Sequence, residues 1–598
     1  MDLLPKVFRT EGNIAEFDPS KILESLLKET KMSEKNAKLI TELVVRRIIS
    51  SGIKFLSGPH IREIVCSILS EQHFESERKL YTRIGMPLMD YEEILEKGPI
   101  DRKNEQINPE KIHHWAADQI AEEYAHLRIL NSEESKAHLF GDIHINGLNY
   151  FDSRLFSQFW DFRFILKNGL PPKDYVKNYN KQKPANNLIG ALNHLSKWLG
   201  MTQTEFYGNQ GFNFITTFLA PYAQNLTEET IMENLREFMY DINQIPLIIG
   251  RNVSEISISS SYSIFDAFLD VPAIHPGGKT ENLYGDYQKE SKKLIKALIL
   301  VLKEKNNKSS VTIPSHQMIL DNKLLDEISD IIPSFWEDSA IISSSYFLNL
   351  CLNLYKDKMI KDISSNNQIN FGILQNISLN LPRYAYIGRN EDEFLELLIL
   401  KINMCSSILL KKFKIIKKRI NSNHLPFCSS IVNGKPIFEL ENQKLSISLV
   451  GLNEAIKYLT NYELHEHFEA FKLSKKILNE INILCSELSE RDNKEYILSE
   501  NLSEKAIHRF TKLDFKHYPL KVKSLSNKGN YMYTNSIHYR NDIDGDLLNM
   551  LKDQGDFHQF IHHGAVEYIN LKKINLKPRD LIETLFKNSN LSSIKFYS

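Results

Sequence analysis

The 598-residue sequence predicts an α/β protein: a small, mostly helical N-terminal unit over residues 1–95, a charged linker over 96–111 and a large mixed unit over 112–598. Three observations predict it. Apolar residues recur at helical spacing through the first unit. Strand-like stretches alternate with helical ones through the remainder, without a visible repeat. The composition, 42% hydrophobic and 25% charged, is that of a globular chain long enough for a large core.

The chain opens on "VFRTEGNIAEFDPSKI". A short strand carries Arg9, a turn follows at Glu11-Gly12-Asn13, and a second strand ends at Phe17. Asp18 is suited to cap a helix whose first position is Pro19, where the missing N–H costs nothing. Ile22, Leu23, Leu26 and Leu27 form the apolar stripe of that helix. Leu39, Ile40, Leu43, Val44 and Ile48 form a second stripe, and Ile61, Ile64, Val65, Ile68 and Leu69 a third. The charged stretch from Glu96 to Lys111 reads as a linker. "EETIMENLREFMYDINQI" is a helix with acids in its first turn, where they favour the helix dipole. "FLELLILKINMCSSILLKKFKIIKKRI" is a long helix that becomes basic. "ILQNISLNL" alternates, with Ile377, Leu379 and Leu381 on one side and Asn376, Ser378 and Asn380 on the other. A polar strand face suits a barrel whose interior handles a ligand. An ordinary half-exposed strand explains the same alternation, and periodicity alone favours it.

With 74 basic against 75 acidic residues the formal net charge is -1, which argues against a nucleic-acid-binding surface as the main business. No apolar run reaches the roughly 18 residues of a membrane helix. The first residues lack a signal-peptide pattern, so a cytoplasmic location is expected. The five cysteines, at 66, 351, 405, 428 and 485, form no CxxC pair, so neither a disulfide framework nor a zinc site is signalled. Each is by default a small buried apolar residue. Adjacent histidines, as in His113-His114 and His562-His563, point to different sides of an element and seldom share a metal. His144 reads as structural, at a strand end.

Arg9 and Lys21 flank a glycine turn and a helix start, where free N–H groups and cations suit a phosphate chain. On these residues alone a hairpin with solvated charges is the simpler account. The order of parts adds to this: strand, turn, strand, "FDPSKI", then three helices ending in "SERKLYTRIGMPLMDYEE" closely resembles the ATP-cone, the allosteric ATP/dATP-binding module of ribonucleotide reductases. That resemblance implies phosphate contacts from Arg9 and Lys21, packing near the base by Val7 and Ile22, and a pocket that includes Gly12, Phe17, Ser57 and Arg83. Further on, "GDIHINGLNYFDSRLFSQFWDFRFILKNGL", "GNQGFNFITTFLAPYAQNLT", "ILQNISLNLPRYAY", "SLVGLNEAIKYLT", "EKAIHRFTKLDFKHYP" and "YMYTNSIHY" follow in an order that resembles the anaerobic (class III) ribonucleoside-triphosphate reductases, which are glycyl radical enzymes. The implied fold is a ten-stranded α/β barrel with Asn376, Ser378 and Asn380 on a substrate-facing strand.

The family reaction replaces the ribose 2′-hydroxyl by hydrogen. By resemblance it needs a radical-SAM activase, a glycyl radical near the C-terminus, and two cysteines at the sugar. Cys351 stands near the thiyl position, although Leu352 follows it where the family has arginine. Apolar neighbours make a buried helix residue an equal reading of it. Ser157 stands where the second cysteine is usual, and a hydroxyl cannot do a thiol's redox work. The family's C-terminal zinc site and radical glycine are absent from the sequence. The expectation is therefore a ribonucleoside-triphosphate reductase large chain, homo-oligomeric and ATP/dATP-regulated, that is incomplete or depends on a separate glycyl radical subunit. The alternative is a catalytically inactive nucleotide-sensing paralogue that scaffolds a complete reductase. Neither nucleic acid nor membrane is an expected partner.

Overall fold

A computed structural model describes residues 6–8, 14–53, 55–85, 88–97, 108–170, 182–249, 255–306, 314–319, 341–343, 371–432, 434–501, 503–525, 531–540, 547–562, 564–570 and 590–597. The chain divides into two compact units, Met1–Ser132 and Glu133–Ser598.

In the N-terminal unit β1 (Lys6–Phe8) pairs antiparallel with β2 (Ile14–Glu16) and parallel with β3 (Phe55–Ser57). The third strand is not legible in the sequence, being three residues long inside a loop. Asp18 caps the helix Pro19–Glu29, accepting a hydrogen bond from the Ser20 N–H. The helices Glu34–Ser50, Gly58–Glu71 and Glu75–Tyr81 complete the layer. Ile22, Leu26, Ile40, Val44, Ile48, Val65, Ile68 and Leu69 are buried in one core. Leu27 and Leu39 are instead exposed, because each lies at the edge of its stripe. The linker expectation is corrected at both ends. Glu96 and Lys97 close the helix Leu88–Lys97, and Pro109 opens the helix Pro109–Tyr124, which belongs to the first unit. The cause is capping: the Asn108 side chain accepts from the Lys111 N–H, and Pro109 takes the first helical turn. The middle of that stretch, 98–107, lies outside the described residues.

The large unit contains β4 (Ile143–Ile145), β5 (Ser157–Trp160), β6 (Gln210–Phe212), β7 (Ile256–Ser261), β8 (Pro272–Ile274), β9 (Thr280–Leu283), β10 (Ser315–Ile319), β11 (Ile341–Ser343), β12 (Phe371–Asn380), β13 (Ile431–Val432), β14 (Lys435–Pro436), β15 (Lys444–Val450), β16 (Tyr496–Leu498), β17 (Val566–Asn570) and β18 (Ser593–Tyr597). Two short antiparallel pairs, β8–β9 and β13–β14, stand apart. The others form one sheet in the order β16-β15-β12-β5-β6-β7-β10-β11-β18-β17, with β4 also on β12. Along this ten-strand path neighbours are parallel except at β12–β5 and β11–β18. The path therefore divides into parallel runs of three, five and two strands, the five-stranded run opposite in sense to the other two.

Helices pack on the sheet, and most described residues of its central strands are buried, as parallel strands require. β12 shows this: from Leu374 to Asn380 every residue is buried, which corrects the half-exposed reading that periodicity favoured. The helices Glu228–Ile249 and Glu391–Asn421 form where the sequence places them. Beneath them Trp160 packs edge-on against Trp198 and Phe206 at centroid distances of 5.2 and 5.7 Å, each such pair worth about 0.5–1.5 kcal/mol beyond area. Gly211 has no substitute, because a Cβ there would stand 1.9 Å from the Ser257 carbonyl oxygen. Among the described residues no helix is long and apolar enough to cross a membrane.

Candidate functional site

Two sites emerge, one in each unit. In the N-terminal unit a cavity of about 190 Å³ opens between β1, the helix Pro19–Glu29 and the helix Gly58–Glu71. Val7, Phe17, Lys21 and Ile22 line it, four of the residues the sequence singled out. Two others do not: Ser57 spends its hydroxyl capping the helix Gly58–Glu71, while its neighbour Gly58 lines the cavity, and Arg83 is exposed elsewhere. Arg9 and Gly12 lie outside the described residues.

The inner wall has no counterpart among the sequence expectations. Arg62 donates to both Glu29 oxygens, at 2.7 and 2.8 Å, and to the Tyr81 carbonyl at 2.6 Å. Its guanidinium sits 4.2 Å from the Tyr81 ring centroid. The Arg62 hydrogen bonds hold the Glu29 carboxyl below its ordinary range, and burial pushes the Tyr81 hydroxyl up. Ser25 donates to Glu29 at 2.7 Å and completes the wall. The lining thus joins apolar Val7, Phe17, Ile22 and Ile61 to two cations, Lys21 and the Glu29-paired Arg62, and two carboxylates, Glu16 and Asp18.

In the large unit, register defines one inner face of the sheet. Phe159, Gly211, Ser257 and Ser315 are cross-strand partners in one row, and Ser157 shares their side of β5. Ser157 is also opposite Ile373 of β12. A β-bulge between Ile373 and Gln375 then shifts the alternation by one residue. Asn376 and Ser378, opposite Ser446 and Ser448 of β15, thereby reach the same side as Ser157.

These side chains form a neutral polar cluster. Asn146, just beyond β4, donates to the Asn376 Oδ1 at 2.7 Å and to the Ser378 hydroxyl at 3.1 Å. Asn376 donates to Ser446 at 2.6 Å, and Ser378 shares a hydrogen bond of 2.9 Å with Ser448. Ser499 meets Ser446 at 2.5 Å, Asn501 donates to Asn376 at 2.9 Å, and Ser503 donates to Asn146 at 3.1 Å. Hydroxyl and amide groups alone can read a sugar, since each can both accept from and donate to a hydroxyl. The second Ser-alternating strand, "KLSISLV", carries the same signal as β12, and its alternation could have marked Ser446 and Ser448 in advance.

Asn380 does not belong to this cluster. Its Oδ1 caps the helix Leu381–Gly388, and its amide donates to the Gly141 carbonyl and to Asp514, both at 2.9 Å. There Arg383 donates to Asp514 at 2.6 Å and pairs with Asp142 at 3.3 Å. Burial pushes the Asp514 carboxyl up against the pull of Arg383. This buried pair braces the end of β12.

Cys351 lies outside the described residues. The described cysteines are on helices or, for Cys428, in a turn, and none is on a strand. Burial pushes the Cys405 and Cys485 thiols up, Cys485 to about 12, which leaves them inert. His144 lies within β4, where burial holds its pKa down to about 3 as a neutral structural ring.

The fold recurs in solved structures. The anaerobic ribonucleotide reductase from Thermotoga maritima in complex with dATP and CTP superposes with a TM-score of 0.67 at 17% identity, over 82% of this chain and 84% of that one. The same protein with citrate in its active site gives 0.69 at 16% identity, over 90% and 98%. No curated protein sequence matches the chain. The family model described as anaerobic ribonucleoside-triphosphate reductase matches residues 101–597. That match, over most of the chain, places it in the anaerobic ribonucleoside-triphosphate reductase family.

Proposed function

We propose that this chain is the large chain of an anaerobic ribonucleoside-triphosphate reductase whose N-terminal unit is an ATP-cone. The observation that supports it most directly is the neutral cluster around Asn376 and Ser378, on the inner face of a sheet with the family's fold. In this reading the cluster orients the ribose hydroxyls of a ribonucleoside triphosphate, and the strands around it close into a ten-stranded barrel that excludes water. The cavity lined by Lys21 and Arg62 takes ATP or dATP as effector. Arg9 and Gly12 complete the phosphate site, and effector binding shifts a homo-oligomeric equilibrium in the cytoplasm.

The family's radical chemistry comes from a glycyl radical made by a radical-SAM activase and passed to a cysteine. The residue in the thiyl position, Cys351, is not described, and Ser157 offers no thiol, so no radical step is assigned to side chains here. What this chain's own residues do is bind, orient and desolvate the sugar. Ser157 favours a second reading, a nucleotide-sensing paralogue that binds the same ligands and supports a complete reductase or a separate glycyl radical subunit.

Calorimetric titration of the full chain tests the effector site. ATP or dATP should bind and raise the melting temperature. Lys21→Ala and Arg62→Met should each weaken binding about tenfold or more, the loss of a charge-assisted contact. Wild-type chain that binds neither nucleotide ends the ATP-cone reading. The substrate site is tested with CTP at saturating dATP. Asn376→Leu should abolish CTP binding, because it removes the hub of the cluster and one hydrogen bond each from Asn146, Ser446 and Ser448. Unchanged CTP affinity would place the substrate elsewhere.

A further inference from the structure

The ten-strand path has two ends, β16 and β17, and what joins them is not a ladder. Among the described residues one backbone bond ties β16 to the turn before β17, from the His562 N–H to the Leu498 carbonyl at 2.8 Å. The rest of the join is ionic. Glu500, two residues past β16, and Glu567, on β17, both hold His538 from opposite sides: the ring donates through Nε2 to Glu500 and through Nδ1 to Glu567 at 2.9 Å. The Val566 N–H, at the start of β17, donates to the other Glu500 oxygen at 2.8 Å, and Asn535 donates to Glu500 at 3.4 Å. All three members are largely buried, with side-chain exposures of 10, 7 and 14% for His538, Glu500 and Glu567.

His538 arrives on a strap, residues 533–539, that is itself tied down. The Gly451 N–H donates to the Thr534 carbonyl at 2.9 Å and the Ser536 N–H to the Leu449 carbonyl at 3.2 Å, both at the end of β15. Thr534 donates to the buried Glu454 carboxyl through backbone and hydroxyl, at 3.1 and 2.8 Å, and Tyr533 to Asp514 at 3.0 Å. The strap thus runs from the end of β15 across Glu500 to β17. Ser499 and Asn501, on either side of Glu500, are the residues that reach the polar cluster.

We propose that His538 is a positioning residue: its two-sided clasp on Glu500 and Glu567 closes the strand path and sets Ser499 and Asn501 against Ser446 and Asn376. The closing half of this inference stands on the contacts alone. The half concerning ligand rests on the substrate reading above. Nothing in the alternation of the individual strands requires a charge at this seam, and a protonated ring between two carboxylates is the arrangement that fastens both ends at once.

Hydrogen exchange on the full chain tests the clasp, with Glu567→Gln as the mild variant and His538→Gln as the severe one. In Glu567→Gln the amides of 566–570 should exchange about tenfold faster or more, the loss of one charge-assisted hydrogen bond, while those of 376–380 in β12 keep their protection. CTP affinity should fall by a similar factor, with ATP affinity unchanged. Unaltered exchange at 566–570 overturns the clasp, and so does an equal rise in β12, which would mark ordinary loss of stability. If the wild-type chain binds no CTP, the substrate reading fails while the exchange result still decides the closure. Faster exchange with unchanged CTP affinity overturns the positioning role. If His538→Gln does not fold, Glu567→Gln alone decides between these outcomes.

Discussion

Replacing Asp514 with asparagine is expected to lower the unfolding free energy of the large unit by about 3–5 kcal/mol, the usual cost of removing one member of a buried ion pair. Asp514 has no exposed side-chain surface and Arg383 only 3%. The carboxylate accepts from Arg383, Asn380 and Tyr533 together. The substitution leaves the guanidinium with the Phe140 carbonyl and one carboxylate, Asp142, at 3.3 Å and partly solvated. Urea unfolding should show a lower midpoint at unchanged slope. The double replacement Arg383→Met with Asp514→Leu should recover most of the loss, since the penalty lies in the orphaned charge rather than in the missing attraction. A single-variant cost below about 1 kcal/mol would show that water reaches the pair and screens it.

The second large effect is a loss of stability at alkaline pH. Burial alone would lower the pKa of His538, but the Glu500 and Glu567 carboxylates outweigh it and push the pKa up to about 10. In the unfolded chain the ring titrates near 6.5. Its folded value is the higher one, so its contribution is complete below about pH 6.5 and is lost as pH rises through about 10. The difference amounts to about 5 kcal/mol at most. The other titratable groups near the ring are Tyr568, at 6.5 Å between centroids, and His558, which burial and the His538 charge hold well below the ordinary range. Urea unfolding at pH 6, 8 and 10 should show a steady decline that His538→Gln flattens. A wild-type decline no steeper than that of the variant would mean the ring is neutral when folded.

Much of the local structure can be read from the sequence because it depends on neighbours along the chain. The Asp18 cap, the Pro19 start and the stripes of the N-terminal helices need only spacing and side-chain chemistry. Lys21 stands out as a cation at a helix start, whereas Val7, Phe17 and Ile22 are marked only by the resemblance of this stretch to the ATP-cone. Arg62 and Tyr81 are not, since their place in the cavity depends on how two later helices pack. In the large unit the alternation of β12 gives away Asn376 and Ser378. It cannot show that Asn380 turns to cap a helix, nor that residues as distant as Asn146 and Ser503 complete the cluster. Those contacts come from strand order and register, which a single sequence does not print. His538 is invisible for the same reason: a charge triad drawn from three separate segments has no local pattern.

The extra residue between Ile373 and Gln375 sets the chemistry of the whole enclosure downstream of it. Keep every residue but pair Leu374 regularly instead of bulging it, and Ile377 and Leu379 would turn to the Ser157 side while Asn376 and Ser378 turned away from it. A chamber suited to hydroxyl groups would become an oily one, with buried amides stranded on its far side. In this protein the polarity of that face is therefore a matter of register: whether one residue of a single strand is bulged or paired, not the identity of any one amino acid, decides which side chains it presents.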